Sequence, residues 1–188
     1  MFFEKAGPVW ETLRNLQSRL DEAGIPYVVI GGLALNAFHY PRQTVDVDVV
    51  LSKDDLARFR QRFVDEVYLQ AEDLARRFVD PGTEVTIDVL VAGELAGDRS
   101  RNHSVRFPSP DEGELHGDLR TVSLARLIEL KLVTWRFKDW GDVVELIRRN
   151  DLPESFAADL DPAVRTPYQE CFDQAKDEQY DGPQGDAR

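Results

Sequence analysis

Apolar residues recur along the chain with two periods, and the points where one gives way to the other mark out its elements. Trp10, Leu13, Leu16 and Leu20 fall at helical spacing, with Pro8 in a first-turn position and Gly24 as a stop, which predicts a helix over 8–23. Tyr27-Val28-Val29-Ile30 is a short β-branched run ending on Gly31-Gly32, and 33–38 returns to a helical pattern. Residues 44–51 alternate with period two, so Val45, Val47 and Val49 face one way and Asp46 and Asp48 the other. Ser52 is placed to cap a helix over 53–64 that buries Leu56, Phe59 and Phe63.

The stretch 65–78 reads equally as short helix or strand, and Asp80-Pro81-Gly82-Thr83 is a turn leading into a strand over 84–91. Loop composition covers 93–117, with a short strand near 105–107, and 119–122 adds another strand. Ser123 then caps a helical pattern to Trp135, a second helix covers 139–149, and a third covers 162–176. The fold class expected from this order is α/β, a mixed β-sheet flanked by helices with a C-terminal helical part. Its divisions are a core over 1–118, a helical region over 119–180 and a flexible tail over 181–188.

A length of 188 residues suits one sizeable core with an appendage, and 42% hydrophobic with 31% charged residues excludes wholesale disorder. The formal charge of −12 disfavours a general nucleic-acid or anionic-membrane binder. That charge is uneven, because residues 151–188 hold 10 acidic against 3 basic side chains, so it argues little about an RNA acceptor at a site elsewhere. No apolar run approaches the roughly 18–20 residues needed to span a bilayer, and the N-terminus lacks a basic segment followed by an apolar one. The expectation is a soluble, cytoplasmic protein with no membrane partner. Cys171 is the only cysteine, which rules out an internal disulfide and a Cys-rich zinc site, and it reads as packing.

The chemistry concentrates in Asp46-Val47-Asp48, because alternation puts both carboxylates on one strand face about 6–7 Å apart. Adjacent anions repel, and cations relieve the repulsion. Asp88, flanked by Ile87 and Val89 on the later strand, offers a third carboxylate, and oxygen donors of this kind suit two Mg²⁺ (or Mn²⁺) ions roughly 3.5–4 Å apart. The competing reading is an edge strand guarded by charge. Gly31-Gly32 complements the carboxylates, since a glycine turn opening a helix lets backbone N–H groups approach a phosphate.

Ile30-Gly31-Gly32, then Asp46-Val47-Asp48, then Asp88 resembles the signature of the polymerase-β-like nucleotidyltransferase superfamily, with Gly32 standing where many members carry serine. Leu130-Lys131 and Arg136-Phe137-Lys138-Asp139-Trp140-Gly141-Asp142 are similar to a helical block of the bacterial abortive-infection toxin-type members. The resemblance implies the nucleotidyltransferase fold and a metal-dependent transfer of NMP from an NTP to an acceptor hydroxyl. It implies Asp46, Asp48 and Asp88 as metal ligands, with Asp88 also accepting the acceptor proton. Lys131 and Arg136 become phosphate contacts, and Asp139 or Asp142 an auxiliary acid. Arg42, on the loop entering the carboxylate strand, is a further candidate phosphate or acceptor contact.

Acceptors in such families are a tRNA end, a protein or a small molecule such as an antibiotic, and toxin-type members imply a cognate antitoxin. The toxin-type reading on tRNA or protein leads; an antibiotic-type enzyme and a non-catalytic nucleotide binder are the alternatives. Plainer roles stand beside these: Lys131 and Arg136 as helix ion pairs, Asp139 and Asp142 as partners of a helix dipole. Arg99, Arg101, His103 and Arg106 form the one compact basic run, either a solvated loop or an edge that tracks phosphates.

Overall fold

Residues 6–71 and 74–177 are described by the computed structural model, so the expected tail over 181–188 lies outside the described residues. The chain opens with helix α1 (Pro8–Glu22), strand β1 (Val28–Ile30), the short helix α2 (Gly31–Ala34), strand β2 (Asp46–Leu51) and helix α3 (Lys53–Phe63). Strands β3 (Leu69–Gln70), β4 (Arg77–Val79), β5 (Thr86–Val91), β6 (Glu114–His116) and β7 (Leu119–Thr121) follow. Helices α4 (Leu124–Leu132), α5 (Phe137–Arg149) and α6 (Arg165–Asp177) end the described chain.

The strands form one seven-stranded mixed sheet in the order β3-β4-β5-β2-β1-β7-β6. β2 runs parallel to β5 and antiparallel to β1, and β7 runs parallel to β1. This mixed sheet flanked by helices is the expected α/β class. β7 is an integral strand, so the sheet continues past residue 118 and the helical part begins at Leu124.

Strict alternation divides the core in two. Val29, Val47, Val49, Leu51, Ile87, Val89 and Val91 pack with Leu13, Leu16 and Leu20 of α1 and Leu56, Phe59 and Phe63 of α3. On the other face Val28, Ile30 and Val50 pack against Leu127, Ile128 and Leu130 of α4, Val143 and Ile147 of α5, and Tyr168 and Phe172 of α6. Ser52 caps α3 as expected, its Oγ accepting from the Asp55 N–H at 3.0 Å, and Ser123 Oγ caps α4 by accepting from the Arg126 N–H at 3.3 Å.

Three stretches differ from the pattern-based expectation. The helix over 33–38 starts at Gly31 and divides into α2 and a 3₁₀ turn (Leu35–Phe38), which stops where His39 turns left-handed at φ 58°. The two-way stretch 65–78 contains strands β3 and β4, since Phe78 is needed on the α3 face of the sheet. The loop-like 93–117 contains β6, turned back onto β7 by Gly117 at φ 69°, whereas 105–107 contributes only the single bridge Leu95–Arg106.

Candidate active site

β2 lies in the interior of the sheet between β1 and β5, which removes the guarded-edge reading of Asp46 and Asp48. Val47, Val49 and Leu51 belong to the α1/α3 face, and Asp46 and Asp48 stand with Val50 on the opposite face. In the parallel β2–β5 pair, Asp48 is in register with Asp88 and Asp46 with Thr86. In the antiparallel β4–β5 pair, Arg77 is in register with Asp88. One row across the sheet therefore reads Arg77, Asp88, Asp48, Ile30.

Gly31 explains why the chain turns where it does. Its φ is +70°, and a Cβ there would lie 2.0 Å from Asp48 Oδ2, so both conformation and space require glycine. A Cβ on Gly32 would lie 2.6 Å from Thr44 Oγ1, so the Thr44 hydroxyl fills the volume that a side chain at 32 would need. That hydroxyl donates to Asp46 Oδ1 at 2.6 Å and orients the carboxylate. The turn thus brings the Gly31 backbone against Asp48, and Gly32 against the threonine that holds Asp46.

Burial, with the like charges of Asp46 and Asp88 beside it, pushes the Asp48 carboxyl up to about 7, against the pull of Lys131 and Arg136. An excess of negative charge at a half-buried cluster of hard oxygen donors fits a divalent cation. Among the described residues, however, no three His, Cys, Asp or Glu side chains converge closely enough to hold one. The third carboxylate is engaged elsewhere: Arg77 Nε donates to Asp88 Oδ1 at 2.7 Å and Arg77 Nη2 to Oδ2 at 2.8 Å.

A cavity of about 390 Å³ opens between this sheet face and the helices, lined by Gly31, Asp48, Leu90, Phe107, Leu130, Lys131, Arg136 and Asp139 among others. Lys131 on α4 is 4% exposed, and its Nζ donates to Asp139 Oδ1 at 3.1 Å and Asp142 Oδ2 at 2.7 Å on α5. Arg42 Nε lies 3.0 Å from Asp142 Oδ1, and Arg136 Nε donates to Asp139 Oδ2 at 2.6 Å. Burial pushes the Asp139 carboxyl up, but Lys131, the Thr134 hydroxyl and Arg136 together hold it below the usual carboxylate range. A ladder of alternating charge, Arg42–Asp142–Lys131–Asp139–Arg136, therefore runs from the loop beside Gly32 to the start of α5.

The structure thus gathers the ten residues put forward as a nucleotidyltransferase site, Gly31, Gly32, Arg42, Asp46, Asp48, Asp88, Lys131, Arg136, Asp139 and Asp142, around one region of the sheet. Lys131 and Arg136 do form ion pairs, Lys131 with Asp139 and Asp142 and Arg136 with Asp139. Sequence reasoning missed Thr44 and Arg77. Arg77-Phe78-Val79 carries the period-two signal that could have found Arg77, one buried aromatic between two outward positions, but it lies in the stretch that read two ways.

The basic run resolves into local ties. Arg99 pairs with Glu94 at 3.4 Å, Arg101 lies 3.6 Å from Asp98 and stacks 4.1 Å from the centre of the Trp135 ring, and Arg106 donates to the Gly93 carbonyl. Cys171 is buried against the Trp140 carbonyl, and burial pushes its thiol to about 12, in keeping with packing. No helix among the described residues is long and apolar enough to cross a membrane.

No protein-family model and no curated protein matches the chain. Solved structures that are similar in chain path include two of one protein. The solution structure of the antibiotic-resistance factor ANT(2'')-Ia has a TM-score of 0.48 and 17% identity, over 90% of this chain and 96% of that one. The crystal structure of ANT(2'')-Ia in complex with adenylyl-2''-tobramycin has a TM-score of 0.45 and 13% identity, over 90% of each chain.

Proposed function

We propose that the chain is a divalent-metal-dependent nucleotidyltransferase that moves NMP from an NTP onto a hydroxyl of a small-molecule acceptor. The observation that carries this reading is the row Asp88, Asp48 with Asp46 beside it, pressed against a turn at Gly31 that only glycine can make. Asp46 and Asp48, joined by Asp88, are the residues that would hold the divalent cations. Such ions supply charge neutralisation at the triphosphate and a lowered pKa for the attacking hydroxyl.

The chain's own groups complete the site. Gly31 and Gly32 let the triphosphate approach the backbone beside Asp48. Two of the three N–H donors of Lys131 are taken by Asp139 and Asp142, which leaves one for a phosphate oxygen. Arg136 and Arg42 each meet a ladder carboxylate through Nε, and their terminal nitrogens are the next phosphate contacts. Asp88 accepts the proton of the attacking hydroxyl, whose oxygen bonds the α-phosphorus as the bond to the β-phosphate breaks and pyrophosphate leaves. Asp139 and Asp142 hold Lys131 in place and act through it.

A small acceptor is favoured over tRNA or protein for two reasons. The cavity has the volume of a small-molecule site. The one compact basic run is held by Glu94, Asp98 and backbone carbonyls, so it offers no continuous track for a polynucleotide. The test is α-labelled NTP with Mg²⁺ and fractionated small-molecule, RNA and protein pools. Label is expected in the small-molecule pool, and its transfer should vanish in Asp46→Ala/Asp48→Ala. Label in RNA or protein would restore the toxin-type acceptor and with it a cognate antitoxin. NTP binding by calorimetry with no labelled pool would make the chain a non-catalytic nucleotide binder.

A further inference from the structure

Asp88 is the carboxylate that the proposed reaction uses most heavily, and it is the one already occupied. Arg77 closes a two-point contact on it, one nitrogen to each oxygen at 2.7 and 2.8 Å, from the register-matched position on β4. β4 and β2 flank β5 on opposite sides, so this contact ties the carboxylate to the strand on the far side of β5 from Asp48. That side-chain position agrees with the finding that no three acidic groups converge among the described residues. Like-charge repulsion from Asp48 pushes in the same direction.

We infer that Arg77 is a resident counter-ion which the divalent cation must displace from Asp88, so that the cation itself assembles the three-carboxylate site. This rests on the reading of Asp46, Asp48 and Asp88 as cation ligands. The guanidinium has room to leave, since the Arg77 side chain is 46% exposed while the Asp88 carboxylate is 20% exposed. It also lies in the field of all three aspartates, each of which favours its charged form, so it partly neutralises the whole site while no metal is bound. Arg76 and Arg99, the neighbouring cations at this edge, are held by Glu94 and make no such contact with Asp88.

Mn²⁺ binding to the full chain, followed by electron paramagnetic resonance without nucleotide or acceptor, tests the inference independently of catalysis. Arg77→Gln should bind Mn²⁺ roughly tenfold more tightly, the scale of losing a two-point charge-assisted contact that competes with the ion. Arg76→Gln removes a charge from the same edge but not from Asp88, and should change affinity by no more than about twofold. In an Asp88→Asn background the gain from Arg77→Gln should fall to that of Arg76→Gln. Arg77→Lys, which keeps the charge but loses the fork, gives an intermediate gain and serves if the glutamine variant fails to fold. Wild type that binds Mn²⁺ while Arg77→Gln binds it equally or more weakly would overturn the inference and leave the metal site standing. Mn²⁺ bound by no variant would overturn the metal site and this inference together.

Discussion

Two groups of aspartates approach the same cavity, and they have opposite electrostatics. Asp139 and Asp142 on α5 are 3% and 2% exposed, yet they are matched by Lys131, Arg42 and Arg136, and Asp139 is held below the usual carboxylate range. Asp46, Asp48 and Asp88 have only Arg77 as a close cation among the described residues, and burial together with the neighbouring like charges raises Asp48 to about 7. The first group is complete within the chain and ties α4 to α5. The second carries more negative charge than its one close cation offsets, which is the basis of the proposed external cation. Counting acidic residues would not separate the two; the position of each counter-ion does.

The comparison breaks most visibly through activity. Asp46→Asn should lower NMP transfer by about 10³-fold or more, several kcal/mol of lost charge stabilisation, with little change in thermal stability. Radiolabel transfer beside a melting curve checks both halves. Transfer within tenfold of wild type would remove Asp46 from the reacting centre.

Lys131→Met strikes the matched group. It leaves Asp139 and Asp142 buried with Arg136 and Arg42 alone, and the expected loss is about 3 kcal/mol of stability in urea unfolding. A loss below about 0.5 kcal/mol would mean that the ladder does not need its central cation. Gly31→Ala acts between the two groups. A Cβ at φ +70° aimed at Asp48 Oδ2 should cost about 2 kcal/mol and lower transfer as well, because Asp48 must move.

Much of this arrangement was legible in the chain, for reasons that individual elements make clear. Period-two alternation in 44–51 fixed which side chains share a face, so the pairing of Asp46 with Asp48 and their separation from Val47 and Val49 followed from the sequence. Gly31 was legible as a turn, although its second reason, the approach of Asp48, depends on register between strands that lie far apart in sequence. Lys131, Asp139 and Asp142 were legible as a spaced block, but mutual neutralisation requires α4 and α5 to pack with those faces together. Arg77 was missed because β4 is three residues long and its pairing with β5, more than its own pattern, makes it a strand. Short strands take their identity from their partners, and a counter-ion carried on one is hidden with it.

The smallest effect expected here separates the two groups by pH. The Asp48 carboxyl has its folded-state pKa raised from 3.8 to about 7, so between those values the folded chain holds a proton that the unfolded chain has released. Raising pH through this window favours the unfolded state; the contribution of Asp48 to stability is full below about pH 4 and lost above about pH 7. Asparagine has no proton to lose. Without added metal, Asp48→Asn should therefore be more stable than wild type at about pH 8, by on the order of 1–2 kcal/mol once solvent screening of a half-buried group is allowed for, and close to it at about pH 4. Asp139→Asn should show the reverse dependence, because a lowered carboxyl stabilises the fold at neutral pH and loses that effect only as acid protonates it. Divalent cation should erase the wild-type deficit at about pH 8 and leave Asp48→Asn little changed, because only the wild-type carboxylate gains from the added charge. Parallel melting curves of the two variants against pH, with and without Mg²⁺, make the check. If both variants lost stability at about pH 8 to the same extent, the two aspartate groups would be electrostatically alike, and the case for an external cation at Asp46, Asp48 and Asp88 would lose its physical basis.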